Sequence, residues 1–240
     1  MNKIKSFKSH ALVRHCLLVM VGMLCALPSW AYEVVVKDIK YEVNKQERTA
    51  VVVDFDDGLS STTEIQEYVS GYLVSGIESY AFRNCYRLES ITIPASAFNI
   101  GDHAFMNCYR LKSIKMTDSN YSQDYHYSIG DNAFDGCSSL SSINIPSSVT
   151  SIGDRAFNEC RSLTSINIPS SVTSIGDGAF NECSSLTTIT VDESNPMYSS
   201  ENNVFFSKKE KSLIRAGVGL EKYDIPSSVT STLIPQDDYK

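Results

Sequence analysis

The stretch "SIGDRAFNECRSLTSINIPSSVT" at positions 151–173 follows directly on "SIGDNAFDGCSSLSSINIPSSVT" at 128–150, and the two agree at 18 of 23 positions. A third copy, "SIGDGAFNECSSLTTITV", begins at Ser174. Self-similarity at a fixed period of about 20–50 residues is the mark of a solenoid. A single unit of this kind cannot bury its own apolar face, so it needs matching units above and below it.

Working outward, two earlier copies align to the same phrase, I-G-D-x-A-F-x-x-C-x-x-L-x-x-I-x-I-P-x-x-V-x-x. Its Phe column is Phe82, Phe105, Phe134, Phe157 and Phe180, and its Leu column is Leu88, Leu111, Leu140, Leu163 and Leu186. I-x-I alternates at period two, which sends both apolar side chains to one face of a short strand. Pro94, Pro146 and Pro169 end the strand, because proline gives the ladder no N–H. Gly101, Gly130, Gly153 and Gly176 suit a turn with positive φ, and Asp102, Asp131, Asp154 and Asp177 then stand where a helix N-cap belongs. A-F-x-x-C, with Phe and Cys at i and i+3, reads as the inward face of one or two helical turns.

Seven cysteines are present, and the last five are Cys85, Cys108, Cys137, Cys160 and Cys183. Their gaps of 23, 29, 23 and 23 residues are the repeat period. That spacing is neither a disulfide framework nor a metal-ligand pattern, and it predicts a column of buried free thiols.

The N-terminus reads as an export signal. Lys3, Lys5, Lys8 and Arg14 precede an apolar run at positions 16–27, which is too short to span a bilayer, and "PSWA" ends it. Cleavage is expected after Ala31. Cys25 as a lipoprotein site is the alternative, disfavoured by the bulky Leu24 before it. Loss of these four positive charges moves the formal charge from −7 to −11. Such a chain is a poor match for nucleic acid or for an anionic membrane surface.

The L-x-x-I-x-I spacing and the full phrase, with I-G-x-x-A-F-x-x-C-x-x-L and I-P-x-S-V-T-S, closely resemble the BspA-type leucine-rich repeats of bacterial surface proteins. The resemblance runs over about 32–231. "YEVVVKDIKYEVNKQERTAVVVDF" resembles that family's β-rich N-terminal cap. "VDESNPMYSSENNVFFSKKEKSLIRAG" resembles its interrupting hairpin unit, with short strands at 204–206 and 213–214 around a charged turn at 208–211. The expected fold is therefore an α/β repeat solenoid, a leucine-rich-repeat right-handed coil of short parallel strands and short helical turns. A β-rich N-terminal cap and a C-terminal β-hairpin unit flank it. The expected divisions are a signal peptide at 1–31, the cap at 32–76, repeats at 77–191, the hairpin-type irregular repeat at 192–231 and a tail at 232–240. The family implies export and surface display. For some members it also implies adhesion to host extracellular-matrix proteins or other bacterial surface components.

No catalytic constellation stands out. Beyond the leader the histidines are His103 and His126, and His103 falls at a variable position expected to be solvated. Asp54, Asp56 and Asp57 lack the rest of a calcium loop. No cofactor or metal is expected, and the protein is read as a non-enzyme.

The candidate partner-binding residues are the strand positions that point away from the core. They are Ser90 and Thr92, Ser113 and Lys115, Ser142 and Asn144, Ser165 and Asn167, Thr188 and Thr190, expected as two columns on the concave face. Six extra residues after Met116 make a loop whose Tyr121, Tyr125 and Tyr127 are expected to be exposed anchors. Tyr86 and Tyr109 with Arg87 and Arg110 repeat at the same period and are expected to form a competing anchor site on the opposite, convex face. The function read from these features is an exported, non-catalytic binding or adhesion module for proteins or glycans. The alternative is a structural or self-assembling envelope protein without an external ligand.

Overall fold

The computed structural model describes residues 31–97, 99–116, 127–201, 204–209, 212–216 and 231–232. The expected leader up to position 30, the whole of 117–126 and positions 217–230 and 233–240 lie outside the described residues. Strong period-two alternation after the leader gives an antiparallel meander of β1 (Ala31–Val36), β2 (Ile39–Asn44) and β3 (Thr49–Phe55). Ile39, Tyr41 and Val43 form its fully buried face. After β4 (Thr62–Glu64) and β5 (Tyr68–Val69), β6 (Tyr72–Ile77) pairs parallel to β3. That parallel pairing sets the direction in which the coils stack.

Each coil then supplies strands to two parallel sheets. The I-x-I strands are β7 (Ser90–Ile93), followed by β8 (Asn99–Ile100) in the other sheet, and then β9 (Ser113–Met116). The alternation continues with β10 (Tyr127–Ile129), β11 (Ser142–Asn144), β12 (Val149–Ile152), β13 (Ser165–Ile168), β14 (Ser174–Ile175) and β15 (Thr188–Val191). One sheet has six strands in the order β15-β13-β11-β9-β7-β4. The other runs β1-β2-β3-β6-β8-β10-β12-β14, with β5 beside β6. Proline does more than end the I-x-I strand. The carbonyls of Pro146 and Pro169 accept the N–H of Val149 and Val172 at 3.0 and 3.2 Å, turning the chain into the second sheet.

The third side of each coil corrects the expected α/β character. Among the described residues there is no α-helix, and the one 3-10 segment is Ala95–Ala97. A-F-x-x-C is a run of turns whose amides alternate in direction. Ala156, Asn158 and Cys160 donate back three residues, to Gly153, Arg155 and Phe157. Arg155, Phe157 and Glu159 donate instead to the next coil, to Asp177, Ala179 and Asn181 at 3.0, 2.8 and 2.9 Å. An α-helix would send every amide back four residues. Here half of them are spent on the neighbouring coil. Left-handed residues at Arg155 (φ 51) and Glu159 (φ 55) make this geometry possible, as do His103, Asn107, Asn132 and Gly136 in earlier coils.

The glycine and aspartate readings change with it. Gly153 does not have positive φ; the left-handed residue stands two places later. A Cβ at Gly153 would lie 2.6 Å from the Asp131 nitrogen and 2.7 Å from the Gly130 carbonyl carbon. Glycine is required here by the close approach of successive coils. "IESY" at 77–80 escapes this rule because Glu78 starts the first coil and its side chain is exposed. The aspartates are no helix caps either. The Asp102 carboxylate accepts the amide of Asp131 at 2.9 Å, Asp131 accepts that of Asp154 at 2.8 Å, and Asp154 that of Asp177 at 2.8 Å.

Stacked phenylalanines fill the interior. Phe82, Phe105, Phe134, Phe157 and Phe180 follow one another with centroids 5.0–5.7 Å apart and near-parallel rings. All five cysteines of the repeats are buried free thiols. Cys108, Cys137, Cys160 and Cys183 each donate to the carbonyl of the phenylalanine one coil back, at 3.1–3.3 Å. Burial pushes the Cys85 thiol up to about 11 and raises Cys137 and Cys160 as well.

The hairpin unit, β16 (Tyr198–Glu201), β17 (Val204–Ser207) and β18 (Ser212–Ala216), closes the stack. The Tyr198 hydroxyl accepts the Ile175 amide at 2.9 Å and the Ser200 hydroxyl accepts the Val191 amide at 3.0 Å, so one side chain serves the last strand of each sheet. Buried Asn195 donates to the carbonyls of Pro169 and Val172 at 2.8 and 3.0 Å. β19 (Ser231–Thr232) then pairs parallel to β18.

Two outcomes follow from this geometry. Gly153→Ala should lose roughly 1–3 kcal/mol through overpacking against main-chain atoms. Arg155→Gly should leave stability unchanged or raise it, since Gly178 already fills that place in the last coil. Chemical denaturation checks both, and a helical turn would reverse their order. Second, a chain beginning at Tyr32 should show no rapidly reacting thiol when native at neutral pH, and five thiols when unfolded. Because Cys85 ionises less readily in the folded state, its contribution is complete below pH 9.0 and is lost as pH rises towards about 11. Denaturation midpoints should fall across that window.

Candidate binding surface

In the six-stranded sheet the pleat turns Ile91, Ile114, Ile143, Ile166 and Ile189 inward and leaves their neighbours on the outer face. Parallel in-register pairing sets Ser90, Ser113, Ser142, Ser165 and Thr188 in one column. Thr92 pairs with Lys115, and Asn144 with Asn167 and then Thr190, in a second column. From Ser113 to Thr190 these side chains are exposed, whereas Ser90 and Thr92 are half-buried. The Thr190 hydroxyl donates to the Asn167 amide oxygen at 2.9 Å, so the column is partly self-bonded.

Two parts of this surface were not anticipated. Thr62 and Glu64 of β4 pair with Ser90 and Thr92 and extend both columns by one rung. The Ser90 hydroxyl donates to that of Thr62 at 3.0 Å. Thr63 stands where the coils carry isoleucine, which hid the strand from an I-x-I search. A third column, Glu89, Lys112, Ser141, Thr164 and Thr187, flanks the first through successive main-chain bonds. Its signal was the repeat register itself, since each member directly precedes a strand.

The expected tyrosine anchors fare differently. Tyr121 and Tyr125 lie outside the described residues. Tyr127 is no exposed anchor: it is 7 % exposed in β10 and pairs with Val149. A register shift between Tyr127 and Ser128 moves the tyrosine into the inward valine column. His103 also departs from expectation, stacking on Tyr80 with centroids 4.8 Å apart.

Tyr86 and Tyr109 stack at 5.7 Å and are 52 % and 46 % exposed. Arg110 and Lys112 both pair with the single carboxylate of Glu89, Lys112 at 2.8 Å. These two cations, Lys112 foremost, hold the Glu89 carboxyl below its ordinary range. Elsewhere Lys40 bridges Asp54 and Asp56 at 3.1 and 2.8 Å. Burial alone would lower its pKa, but the hydrogen bonds it donates to Asp56 and Asp54, with their negative charge, outweigh that and raise it. Two of the three "DFDD" acids, Asp54 and Asp56, are therefore met by a lysine. Among the described residues no group of three or more His, Cys, Asp or Glu side chains is placed to hold a metal ion. Nor is any helix among them long and apolar enough to cross a membrane.

Residues 75–127 and 121–231 match the BspA type leucine rich repeat region in six copies. The chain belongs to this family. Among solved structures, the T. pallidum leucine-rich-repeat protein TpLRR is 28 % identical with a TM-score of 0.57, over 66 % of this chain and 71 % of that one. A leucine-rich-repeat protein of Bacteroides ovatus is 35 % identical with a TM-score of 0.57, over 66 % of this chain and 41 % of that one. The pneumococcal vaccine antigen PcpA shares the fold, with 24 % identity and a TM-score of 0.61 over 84 % of this chain and 60 % of that one. The chain thus spans under half the length of the Bacteroides ovatus relative. No curated protein matches it.

Proposed function

We propose that this BspA-type chain is an exported surface protein whose repeat solenoid is a non-catalytic binding or adhesion module for proteins or glycans. The observation that carries this reading is the outer face of the six-stranded sheet. It presents registered columns of Ser, Thr and Asn on strands paired in parallel, so these side chains are free of structural duty apart from local contacts. Such an array offers many weak hydrogen bonds and no large aromatic anchor. Aromatics and arginine usually dominate tight interfaces. Single-site affinity should accordingly be low, raised by many copies on one cell. Host extracellular-matrix proteins and other bacterial surface components are the proposed partners, and the leader at 1–31 supplies export.

A second reading has its own support. β1 stands at the edge of its sheet with Val35 52 % exposed, a template for strand addition between copies. That would suit a self-assembling envelope protein without an external ligand.

Immobilised protein should retain a component from matrix or bacterial-surface extracts, and Ser142→Arg/Ser165→Arg should abolish that retention while leaving the melting temperature unchanged. Full retention by the double variant would overturn the strand-face assignment. Concentration-dependent self-association, abolished by Val35→Lys and with no retained partner, would favour the second reading.

A further inference from the structure

The coils are not equivalent in charge. Residues 77–116 carry Arg83, Arg87, Arg110, Lys112 and Lys115 against Glu78, Glu89 and Asp102, a net charge of +2. Residues 127–191 carry Arg155 and Arg161 against six acids, a net charge of −4. The positive island is exposed, and it coincides with the exposed Tyr86–Tyr109 stack.

The repeats supply an internal control. The two positions after each core cysteine are Tyr86-Arg87 and Tyr109-Arg110 in the first two coils, but Ser138-Ser139, Arg161-Ser162 and Ser184-Ser185 in the next three. Serine, which stands at five of these six later places, therefore satisfies the fold there. The four large side chains in the first two coils are exposed, and their contacts include their own ring stack, the Arg87 bond to the Asp57 carbonyl and the Arg110–Glu89 pair.

We propose that this patch is the site for a linear anionic polysaccharide lying along the stacking direction. The proposal rests on the binding-module reading and names its ligand class. Successive coils repeat at the strand spacing of about 4.8 Å, close to the length one sugar unit adds to an extended chain. Arg87 and Arg110 thus meet carboxylate or sulfate groups in register, with charge-assisted hydrogen bonds. Tyr86 and Tyr109 offer apolar ring surface to sugar C–H groups. An acidic peptide fits less well, because besides Tyr86 and Tyr109 the exposed large apolar side chains among the described residues are Val35 and Tyr68, both in strands that precede the repeats.

The chain's net negative charge does not forbid this. At physiological salt, charges more than about 8 Å away are largely screened, so the local excess decides. Acids around the patch include Glu89, which engages Arg110 and Lys112, and exposed Glu64, which pairs with Thr92; Arg87 also donates to the Asp57 main-chain carbonyl at 3.1 Å. Glu89 is thus an internal competitor for the ligand's anion.

The test uses heparin and polygalacturonate as anionic glycans, dextran as a neutral one and polyglutamate as an anionic peptide. Wild type should bind the first two in a salt-sensitive way and ignore dextran. Tyr86→Ser/Tyr109→Ser and Arg87→Ser/Arg110→Ser, which write the residues of the third coil, should each weaken binding about ten-fold or more. Both should melt like the parent. Glu89→Gln should strengthen binding about two- to five-fold, a gain no structural role produces. Unchanged glycan binding in the serine variants, equal binding of dextran, or polyglutamate binding that is as tight and indifferent to Tyr86→Ser/Tyr109→Ser would each overturn the proposal. If no anionic glycan binds but Ser142→Arg/Ser165→Arg still abolishes retention of an extract component, this site falls and the binding-module reading stands. If neither occurs, both fall.

Discussion

Each coil must bring its A-F-x-x-C segment within one hydrogen bond of the next, and the rest of the architecture answers to that constraint. Three amides per coil point along the stack on this side, at Tyr80, Phe82 and Asn84 in the first coil and at Arg155, Phe157 and Glu159 in the fourth. Together with the two parallel sheets, they pair the main chain on all three sides. Close approach then dictates the small residues. A glycine is needed where the Asp131 main chain would meet a Cβ at Gly153, and fully buried alanines precede each phenylalanine. The thiol is small enough to sit beneath a phenylalanine carbonyl and donate to it.

The same constraint separates folding residues from functional ones. Phe, Cys, Leu, Ile, Gly and Asp are committed to contacts between coils and repeat almost without change. Positions outside that set vary from coil to coil. Thr92, Lys115, Asn144, Asn167 and Thr190 share one column with different chemistry. Tyr86 and Tyr109 give way to Ser138 after the second coil. The variation within a single chain is therefore what the proposed binding surface draws on.

Much of this was legible in the sequence. The period gave the stack, I-x-I gave the strands, and the cysteine gaps gave a column of thiols. The turn segment was not legible, because an i, i+3 apolar spacing suits a helical turn and a stacked turn equally. Only the distance to the next coil tells them apart, and it pulls alternate amides away from any helix. The second strand of each coil was missed for a related reason. V-T-S-I buries its first and last residues, Val149 and Ile152, and so lacks period two. Tyr127 was misread because a register shift, invisible in one dimension, carried it into the valine column.

Amide hydrogen exchange at Arg155 and Glu159 tests the stacking constraint most directly. The Arg155 side chain is exposed and both residues lie in turns, so isolated turns would exchange these protons rapidly. If they bond to the carbonyls of Asp177 and Asn181, their protection should match that of the Ile166 amide within β13. Rapid exchange at Arg155 and Glu159, with the strands still protected, would contradict the account.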